Sequence, residues 1–426
     1  MSKTERITAP RGMPDALPAD MALLRHLETT ARRVFALCAY EEIRTPLFED
    51  TRLFVRGIGE ATDIVEKEMY TFAEGESGDS ITLRPEGTAS VVRSVIEHEL
   101  LKQKGFWKLY YIGAMFRKER PQAGRLRQFD QIGCEAVGSM EPVVDAESIL
   151  LAARFFREVG LAGVAVKVNT IGCPACRAAY RDVLRAALAP RKAELCPDCQ
   201  NRFDRNVFRI LDCKVPACKA IALTAPPMRE HLDADCKAHF NTVLDLLAKS
   251  GQEIKVDDHL VRGFDYYTRT VFELSHASLG ARDAVCGGGR YDNLVAELGG
   301  PQAGCVGFAV GVVPTILALQ KTQSAAIPTP PVADLYLAAF SDEVRGELFR
   351  MAERLRGEGV SVEIDYERRS MKAQMRSANK LGARYAIVIG PDEIASGEFK
   401  LKEMATGAEQ KLRVESIAAA VRGNRT

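Results

Sequence analysis

Apolar and polar residues alternate regularly in two regions of the chain, which a proline-rich segment separates. Between Asp20 and Tyr40, apolar residues recur every three or four positions, which predicts an amphipathic helix. Its apolar stripe consists of Leu23, Leu24, Leu27, Val34 and Leu37. The following IRTPLFE, which begins at Ile43, is typical of a strand that enters a turn limited by proline.

Strand patterns dominate the middle of the first region. The segments Lys108 to Phe116 and Gln128 to Val137 predict two strands joined by a short connection, so we expect them to pair antiparallel. Further strand patterns occur at Leu260 to Leu274 and at Gly304 to Val312. From about Val168 to Gly251 the chain becomes rich in cysteine and helical in pattern, which predicts an insertion within the sheet domain.

A linker is predicted at residues 321–332, KTQSAAIPTPPV, where prolines and small residues mark a domain boundary. We therefore expect a first domain at residues 1–320, with the insertion at about 170–255, and a second domain at 333–426. In the second domain, strands at Asp334–Phe340, Val360–Asp365 and Ala386–Gly390 alternate with a helix ending at Gly357 and a helix at Met371–Leu381, before two more strands and a terminal helix. This alternation predicts a small α/β domain.

Composition narrows the class of protein without identifying it. The chain has 426 residues, 46% of them hydrophobic, which is enough for two or three domains with cores of their own. Its net charge of +1 means that a nucleic-acid partner would have to be bound by local basic patches. The sequence has no apolar run of about 18 residues and no signal-peptide pattern, so we expect a cytoplasmic protein without a membrane partner.

The segment from Phe116 to Glu135, FRKERPQAGRLRQFDQIGCE, carries the strongest chemical signal. Its turn, marked by Pro121 and Gly124, lies among four arginines whose planar side chains suit bidentate phosphate contacts: Arg117, Arg120, Arg125 and Arg127. Phe129 adds a flat face for a purine. The segment therefore predicts a nucleotide site without a P-loop, the alternative being a solvated basic hairpin.

This segment resembles motif 2 of the class II aminoacyl-tRNA synthetases, and other motifs point to the histidyl-tRNA synthetase family. The matching segments, in chain order, are RGMPDALP from Arg11, EIRTPLFE from Glu42 (motif 1), TLRPEGTA from Thr82, LVRGFDYYTRTVFEL from Leu260 and GGGRYDNLV from Gly287. The resemblance covers nearly the whole chain. It implies an α+β fold: an antiparallel β-sheet core flanked by helices, with a helical insertion and a C-terminal α/β anticodon-binding domain.

The resemblance also implies an activity and its residues. The enzyme would activate L-histidine with ATP and Mg²⁺ and transfer histidine to tRNA(His). Arg117 would hold the α-phosphate and the attacking carboxylate, Arg125 the distal phosphates, and Phe129 the adenine. Arg262 corresponds to the second cation at the reacting centre, with a structural salt bridge on a strand as the alternative. In-line displacement needs positioned charge and no protein nucleophile.

Selection of histidine is implied by two further groups of residues. An imidazole presents one donor and one acceptor, so its pocket needs a carboxylate or hydroxyl pair able to meet both nitrogens. Glu135, Tyr267 and Tyr291 match the family positions for this task. Glu86, Thr88 and Gln131 match the positions that accept the α-amino group. Glycines 287 to 289 are expected to let the backbone approach the substrate closely.

Two positions depart from the family pattern. Motif 3 ordinarily leads into a helix that opens with Glu-Arg, and that arginine contacts ATP; here Val313 and Pro314 occupy the two positions. Proline suits a first helical turn, so we expect the fold to be kept and the handling of ATP to be weakened. Asp130 stands where the family commonly has histidine or an aromatic residue, and its carboxylate is expected to repel phosphate or to bind magnesium.

The insertion contains a candidate structural zinc site. Cys173 and Cys176 form one C-x2-C pair, and Cys196 and Cys199 form another. Thiolates at this spacing are typical zinc ligands, and unligated buried thiols are the alternative. Three more cysteines follow, Cys213, Cys218 and Cys236.

Interactions with tRNA and with a second copy are also predicted. Arg368, Lys372, Arg376 and Lys380 recur every four residues, which places them along one helix face where they would contact tRNA phosphates. A solvated helix face is the alternative. The motif 1 resemblance around Arg44 to Phe48 implies a homodimer. A second function remains open, since loss of the motif 3 arginine also fits a catalytically silent synthetase-like regulatory subunit of ATP phosphoribosyltransferase.

Overall fold

The computed structural model of the protein describes residues 6–59, 62–74, 79–122, 124–280, 283–327 and 333–423. The chain divides into two units, residues 1–328 and 329–426. Among the described residues, no helix is long and apolar enough to cross a membrane.

In its described residues, the first unit is built on eleven named strands and eleven α-helices. The strands are β1 (Glu41–Glu42), β2 (Phe48–Asp50), β3 (Tyr70–Glu74), β4 (Asp79–Leu83), β5 (Trp107–Phe116), β6 (Gln128–Val137), β7 (Ala165–Thr170), β8 (Lys255–Val256), β9 (Thr268–Ser275), β10 (Ala284–Arg290) and β11 (Cys305–Gly311). The helices are α1 (Pro18–Ala36), α2 (Thr51–Ile58), α3 (Thr88–Glu97), α4 (Leu100–Lys104), α5 (Pro142–Glu158), α6 (Pro174–Leu188), α7 (Pro197–Arg205), α8 (Pro216–Ala222), α9 (Ala234–Lys249), α10 (Leu294–Glu297) and α11 (Val312–Lys321), with a π-helical turn at Ile64–Glu68.

The main sheet has the strand order β1-β5-β6-β11-β10-β9-β7-β8. Its pairs are antiparallel except at the two edges, where β1 pairs with β5 and β7 with β8 in parallel. The predicted antiparallel pairing of β5 with β6 is confirmed, from Trp107 opposite Val137 to Phe116 opposite Gln128. A smaller sheet has the order β2-β4-β3.

Alternation along β6 sorts its side chains between two different environments. Ile132, Cys134 and Ala136 join the main core with buried residues of α1 and α5. The residues between them face the other side, where α3 and a cluster of tyrosines pack. Gln131 and Glu135 therefore lie on the α3 side of the sheet.

Three boundaries in the first unit differ from the sequence predictions. Helix α1 ends at Ala36 and not at Tyr40, and the chain then turns through Ala39, which has a φ of 56°. Leu37, predicted to lie on the apolar stripe, is 64% exposed. In IRTPLFE, only Phe48 and Glu49 lie in a strand, β2; the residues from Ile43 to Leu47 follow β1 as an irregular segment that contains Pro46, which cannot donate to a strand ladder. In the segment from Leu260, the strand begins only at Thr268.

The second unit contains a five-stranded sheet of order β13-β12-β14-β15-β16. Its elements are β12 (Leu335–Ala339), α12 (Arg345–Gly357), β13 (Val362–Ile364), α13 (Met371–Lys380), β14 (Tyr385–Ile389), α14 (Pro391–Ser396), β15 (Glu398–Glu403), β16 (Glu409–Arg413) and α15 (Val414–Gly423). The predicted alternation is confirmed, but the short helix α14 was not predicted. The last five residues of the predicted linker, 328–332, lie outside the described residues.

Candidate active site

A cavity of about 540 Å³ lies in the first unit, on the α3 side of the main sheet. Its wall includes eight of the predicted site residues: Glu86, Thr88, Arg117, Arg125, Gln131, Arg262, Tyr267 and Tyr291. These residues come from separate strands, loops and a helix start, and the fold brings them to one place. Phe129 and Glu135 lie behind this wall.

Glu135 is bonded directly to two residues of the wall. Its Oε1 accepts a hydrogen bond of 2.7 Å from Thr88 Oγ1, and its Oε2 accepts one from the Tyr291 hydroxyl. Burial raises the pKa of Glu135 to about 8, although the bonds from Tyr291 and Thr88 act in the opposite direction. Burial therefore favours the protonated form of this side chain, and as a carboxylic acid it can both donate and accept a hydrogen bond.

Polar acceptors for a cation lie next to Glu135. Glu86 is buried, and its two carboxylate oxygens accept bonds from the backbone N–H groups of Thr88 (2.7 Å) and Ala89 (2.8 Å) at the start of α3. Burial raises the pKa of Glu86 against these bonds. Gln131 Oε1 is buried without a hydrogen-bond partner. An unsatisfied buried acceptor in a cavity wall marks a position where a ligand donor would be favourable.

Arg117 is held between two aromatic rings. Its Nε donates to Pro85 O at 2.9 Å, and its guanidinium carbon lies 5.3 Å from the Phe129 ring centre and 5.9 Å from that of Phe264. Burial lowers the pKa of Arg117, but an arginine remains charged. Phe129 thus contacts the motif 2 arginine and does not line the cavity itself.

The motif 2 turn directs only two of its four arginines to the cavity. Arg117 and Arg125 line it, and Arg125 pairs with Glu119 at 2.7 Å. Arg127 instead supports the turn, because its Nε donates to Glu119 O and its backbone N–H donates to Gly12 O. The N-terminal signature segment therefore braces this loop.

Arg262 approaches β10 through a gap left by a glycine. It lies in the loop before β9, where its Nη1 pairs with Glu273 at 3.2 Å and its Nε is buried without a partner. A side chain at position 287 would overlap the Arg262 guanidinium, so Gly287 makes room for Arg262. The prediction that glycines 287 to 289 let the backbone approach the substrate stays a prediction, and Gly287 itself lines the cavity. The alternative prediction for Arg262 was a structural salt bridge on a strand. The salt bridge to Glu273 is present, but Arg262 lies in a loop and not on a strand.

Three aromatic residues of the site were not predicted. Tyr266 and Phe264 line the cavity, with stacked rings 5.2 Å apart, and Tyr266 also packs edge-to-face on Tyr291. Tyr111 is buried in the tight space beside Gly133, and its hydroxyl has no hydrogen-bond partner. Tyr111 could have been predicted from the register of the β5–β6 pair, because it lies directly opposite Gly133, which leaves room for its ring.

Pro314 stands at the cavity end of α11. The helix begins at Val312, so Pro314 lies in the first turn, where its missing N–H costs no helical hydrogen bond. Pro314, Leu317 and Lys321 share one helix face and all line the cavity. The expectation that the fold tolerates the motif 3 change is confirmed.

Asp130 does not belong to the cavity wall. Asp130 directly precedes Gln131 on β6, so their side chains point to opposite faces of the sheet. Burial raises the pKa of Asp130, and the nearby Glu28 raises it further, although Arg84 acts in the opposite direction. The expectation that Asp130 lies beside the nucleotide is therefore wrong.

The four predicted zinc ligands do not form one site. Cys196 and Cys199 gather with Cys213 and Cys218, whereas Cys173 and Cys176 gather with Asp233 and Cys236. Within each group, all ligand atoms lie within 4.8 Å of one another. The prediction of one site formed by the two C-x2-C pairs is wrong, because each pair lies next to residues from farther along the chain.

The predicted basic face is exposed. Lys372, Arg376 and Lys380 lie on α13, whose buried side carries Gln374 and Ala378. Arg368 precedes the helix and has a φ of 54°, so its placement on the helix face is wrong.

Comparisons with known proteins agree with this architecture. The family description "Histidyl-tRNA synthetase" matches residues 12–314, and "Anticodon binding domain" matches residues 334–424. The histidine–tRNA ligase of Trichlorobacter lovleyi is 48% identical over 419 residues, which cover 98% of this chain and 99% of that protein.

Two solved structures extend the comparison. The apo histidyl-tRNA synthetase of S. aureus has a TM-score of 0.81 and 35% identity, covering 98% of this chain and 100% of that one. A Bacillus halodurans structure, titled as an ATP phosphoribosyltransferase regulatory subunit/histidyl-tRNA synthetase, has a TM-score of 0.64 and 23% identity, covering 88% and 97%, and shares the fold. With its cavity, its two units and these matches, the chain belongs to the histidyl-tRNA synthetase family.

Proposed function

We propose that this protein is a histidine–tRNA ligase, which converts L-histidine and ATP to histidyl-adenylate and pyrophosphate and then transfers histidine to the 3′ end of tRNA(His). One observation carries the proposal. The Glu135–Tyr291–Thr88 hydrogen-bonded group, suited to an imidazole, adjoins the cavity that also contains Arg117 and Arg262.

The first step is a displacement at phosphorus. A histidine carboxylate oxygen forms a bond to the α-phosphorus of ATP, and the bond to the pyrophosphate oxygen breaks. Charge accumulates on the phosphate oxygens, and cations already fixed in position stabilise it without reorganisation. Arg117 is fixed by Pro85 O and two aromatic rings, and Arg262 by Glu273, which supports their assignment as the catalytic cations.

Binding of ATP extends this arrangement. We assign Arg125 to the distal phosphates because it lines the cavity on the motif 2 turn. Phe129 is assigned to the adenine ring, in which case the base would share the contact that Phe129 now makes with Arg117. Class II synthetases use ATP with Mg²⁺. No group of three carboxylates at ligand spacing occurs in the described part of the cavity, so the ATP phosphates would supply most ligands of the magnesium ion.

Histidine recognition divides between its two ends. The unpartnered Gln131 Oε1, with Glu86 and Thr88 beside it, suits the α-ammonium group. Glu135, Tyr267 and Tyr291 suit the imidazole. A pocket that satisfies both ring nitrogens leaves buried polar groups unpaired when an analogue lacks them, so such analogues are rejected strongly.

The partners follow from the surface. We assign Lys372, Arg376 and Lys380, with Arg368 nearby, to phosphate contacts with tRNA(His), since all four are exposed cations of the anticodon-binding unit. The homodimer is assigned to the motif 1 region. Phe48 and Phe72 are 45% and 48% exposed, and their rings pack 5.8 Å apart on the small sheet, which supports an interface there. Eleven free cysteines support a cytoplasmic location.

The second candidate, a silent regulatory subunit, is favoured only by Val313 and Pro314. Histidine-dependent ATP–pyrophosphate exchange separates the two functions. A ligase exchanges label only when histidine is present, and alanine substitution of Arg262 should reduce exchange by at least about a hundredfold. Absent exchange in a wild-type protein that still binds histidine would establish the regulator instead.

A further inference from the structure

The insertion contains seven of the eleven cysteines, and all seven fall into the two ligand groups described above. The first group, called here the four-thiol cluster, consists of Cys196, Cys199, Cys213 and Cys218. The second, the three-thiol cluster, consists of Cys173, Cys176, Asp233 and Cys236. Apart from Asp233, Cys173 and Cys196, their members are buried. This concentration of thiols belongs to neither the cavity nor the basic face.

The spacing of the sulfur atoms fits a tetrahedral metal. Zinc–sulfur bonds of about 2.3 Å give sulfur–sulfur edges of about 3.8 Å in a regular tetrahedron. Cys196 Sγ and Cys213 Sγ are 3.9 Å apart, and Cys173 Sγ and Cys176 Sγ are 3.6 Å apart. A disulfide would require about 2.05 Å, so these pairs are not bonded to each other.

Backbone groups also point at the sulfur atoms. Cys196 N–H points at Cys218 Sγ at 3.1 Å, and Asp233 N–H points at Cys176 Sγ at 3.2 Å. N–H donors of this kind stabilise thiolates, which are the metal-binding form of cysteine. Four ligand cysteines are also followed directly by a basic residue, in the pairs Cys176–Arg177, Cys213–Lys214, Cys218–Lys219 and Cys236–Lys237.

Asp233 completes the three-thiol cluster while serving a second purpose. Its Oδ1 accepts the backbone N–H of Cys236 at 2.7 Å and caps α9. Its Oδ2 lies 3.1 Å from Cys173 Sγ and 3.0 Å from Cys176 Sγ. One oxygen therefore holds the helix and the other faces the sulfur atoms. The segment reads D-x2-C, so Asp233 stands where a second C-x2-C pair would have its first cysteine.

We propose that the insertion binds two structural zinc ions, one in the four-thiol cluster and one in the three-thiol cluster with Asp233 as the fourth ligand. Both sites are closed by four protein ligands, which is the arrangement of structural and not catalytic zinc. Binding releases the protons of four thiols in one site and three in the other. Neither site depends on the ligase function, because no ligand belongs to the cavity wall.

The four-thiol cluster would fix a segment that reaches the active-site cavity. Between Cys199 and Cys213 lie Arg202 and Arg209, which pair with Asp63 at 3.2 and 3.1 Å, and Arg209 also lines the cavity. Metal at this cluster would order these contacts as well as the insertion itself.

Metal analysis of protein purified without chelators tests the proposal. We expect about two zinc ions per chain, and one in each of the variants Cys199→Ser and Cys236→Ser. The matched control, Cys38→Ser, replaces a cysteine outside both clusters and should keep two. A wild-type content of one ion or none, or a content of iron in place of zinc, would overturn the two-zinc assignment.

The role of Asp233 has its own test, which separates metal binding from helix capping. Asparagine keeps an N-cap acceptor, so Asp233→Asn should fold and yet lose about one zinc ion on dialysis against a chelator. Asp233→Cys should keep both ions. Cobalt substitution adds a spectroscopic readout, since sulfur-to-metal charge-transfer bands should fall by about four sevenths in Cys199→Ser if that site empties. Equal zinc retention by Asp233→Asn and wild type would remove Asp233 from the ligand set.

Discussion

At the scale of single residues, the environment of each side chain decides its role more than its type does. Glu135 and Asp130 are both carboxylates on β6, yet only Glu135 adjoins the cavity, because they lie on opposite faces of the sheet. The sequence resemblance assigned Glu135 to histidine binding, which stays a prediction, and it placed Asp130 beside the nucleotide. Side chains alternate between the two faces of a strand, and Asp130 and Glu135 are an odd number of residues apart. The sequence alone therefore predicts that they point to opposite faces.

This pair provides a matched test of histidine recognition. Replacing Glu135 by alanine removes the acceptor of Thr88 and Tyr291 and should raise the KM for histidine by about tenfold to a hundredfold, with ATP binding nearly unchanged. Asp130→Ala should leave both values within about twofold. Steady-state pyrophosphate exchange measures these constants, and an unaltered histidine KM in Glu135→Ala would remove Glu135 from the pocket.

The raised pKa of Glu135 predicts a dependence of stability on pH. Its ordinary value is 4.5 and its value in the folded protein about 8, so the folded state retains a proton that the unfolded state loses in this range. The contribution of this group is complete below about pH 4.5 and is lost as pH rises towards 8. Glu135→Gln does not titrate, so its Tm should rise relative to wild type by a few degrees between pH 5 and 8. A constant Tm difference would contradict the assigned shift.

At the scale of elements, the predicted strands of the main sheet agreed well with the structure because their alternation reflects one buried and one site-facing side. The predictions were less accurate where tertiary contacts decide. Arg262 lies in a loop because its guanidinium must fit beside Gly287 of β10, a contact that local pattern does not contain. The cysteine pairs were misgrouped for the same reason, since Cys176 and Asp233 are 57 residues apart.

A buried ion network joins α5 to β10. Arg290 is fully buried and donates to Asp145 and, at 2.9 Å, to Asp292, while His239 lies 3.3 Å from Asp145. Burial opposes ionisation of Asp145, but the hydrogen bond to His239 and the charge of Arg290 keep its pKa below the ordinary value. The signature arginine of GGGRYDNLV therefore holds the sheet to a helix.

We expect Asp145→Asn to lower the free energy of unfolding by about 3–5 kcal/mol, because it leaves a buried arginine without its main partner. The control Asp245→Asn breaks the exposed pair with Lys249 and should cost less than about 0.5 kcal/mol. Urea unfolding of the two variants measures the difference, and similar losses in both would show that the buried network adds no stability.

The motif 3 change belongs to α11, whose Pro314 faces the cavity. Restoring the family pair by Val313→Glu with Pro314→Arg should raise kcat/KM for ATP by about tenfold to a hundredfold, the equivalent of one charge-assisted phosphate contact. Pro314→Ala changes the ring without adding charge and should have little effect. If the double variant gains nothing, another cation such as Lys321 on the same helix face already binds these phosphates.

At the scale of the whole molecule, each unit has a hydrophobic core of its own. The cavity belongs entirely to residues of the first unit, and the assigned tRNA-phosphate residues belong to the second. Adenylate formation and recognition of tRNA should therefore be separable.

A chain that ends at residue 328 should retain histidine-dependent pyrophosphate exchange within about threefold. Its kcat/KM for aminoacylation of tRNA(His) should fall by at least about tenfold, since the phosphate contacts proposed for the second unit would be lost. Both assays are measured on one preparation of the fragment. Retained pyrophosphate exchange shows that the first unit is folded, so a loss of aminoacylation then reports on tRNA recognition. Loss of exchange in a folded fragment would mean that the second unit is required for the active site.

The two edge strands of the main sheet are poor templates for pairing with a strand of another protein chain. Its outermost strands are only two residues long, Glu41–Glu42 on one side and Lys255–Val256 on the other, and three of these four side chains are charged. An incoming strand would find few backbone groups to pair with and would have to bury charge beside them. Extension of the main sheet by a strand of another chain at either of these two edges is therefore unfavourable.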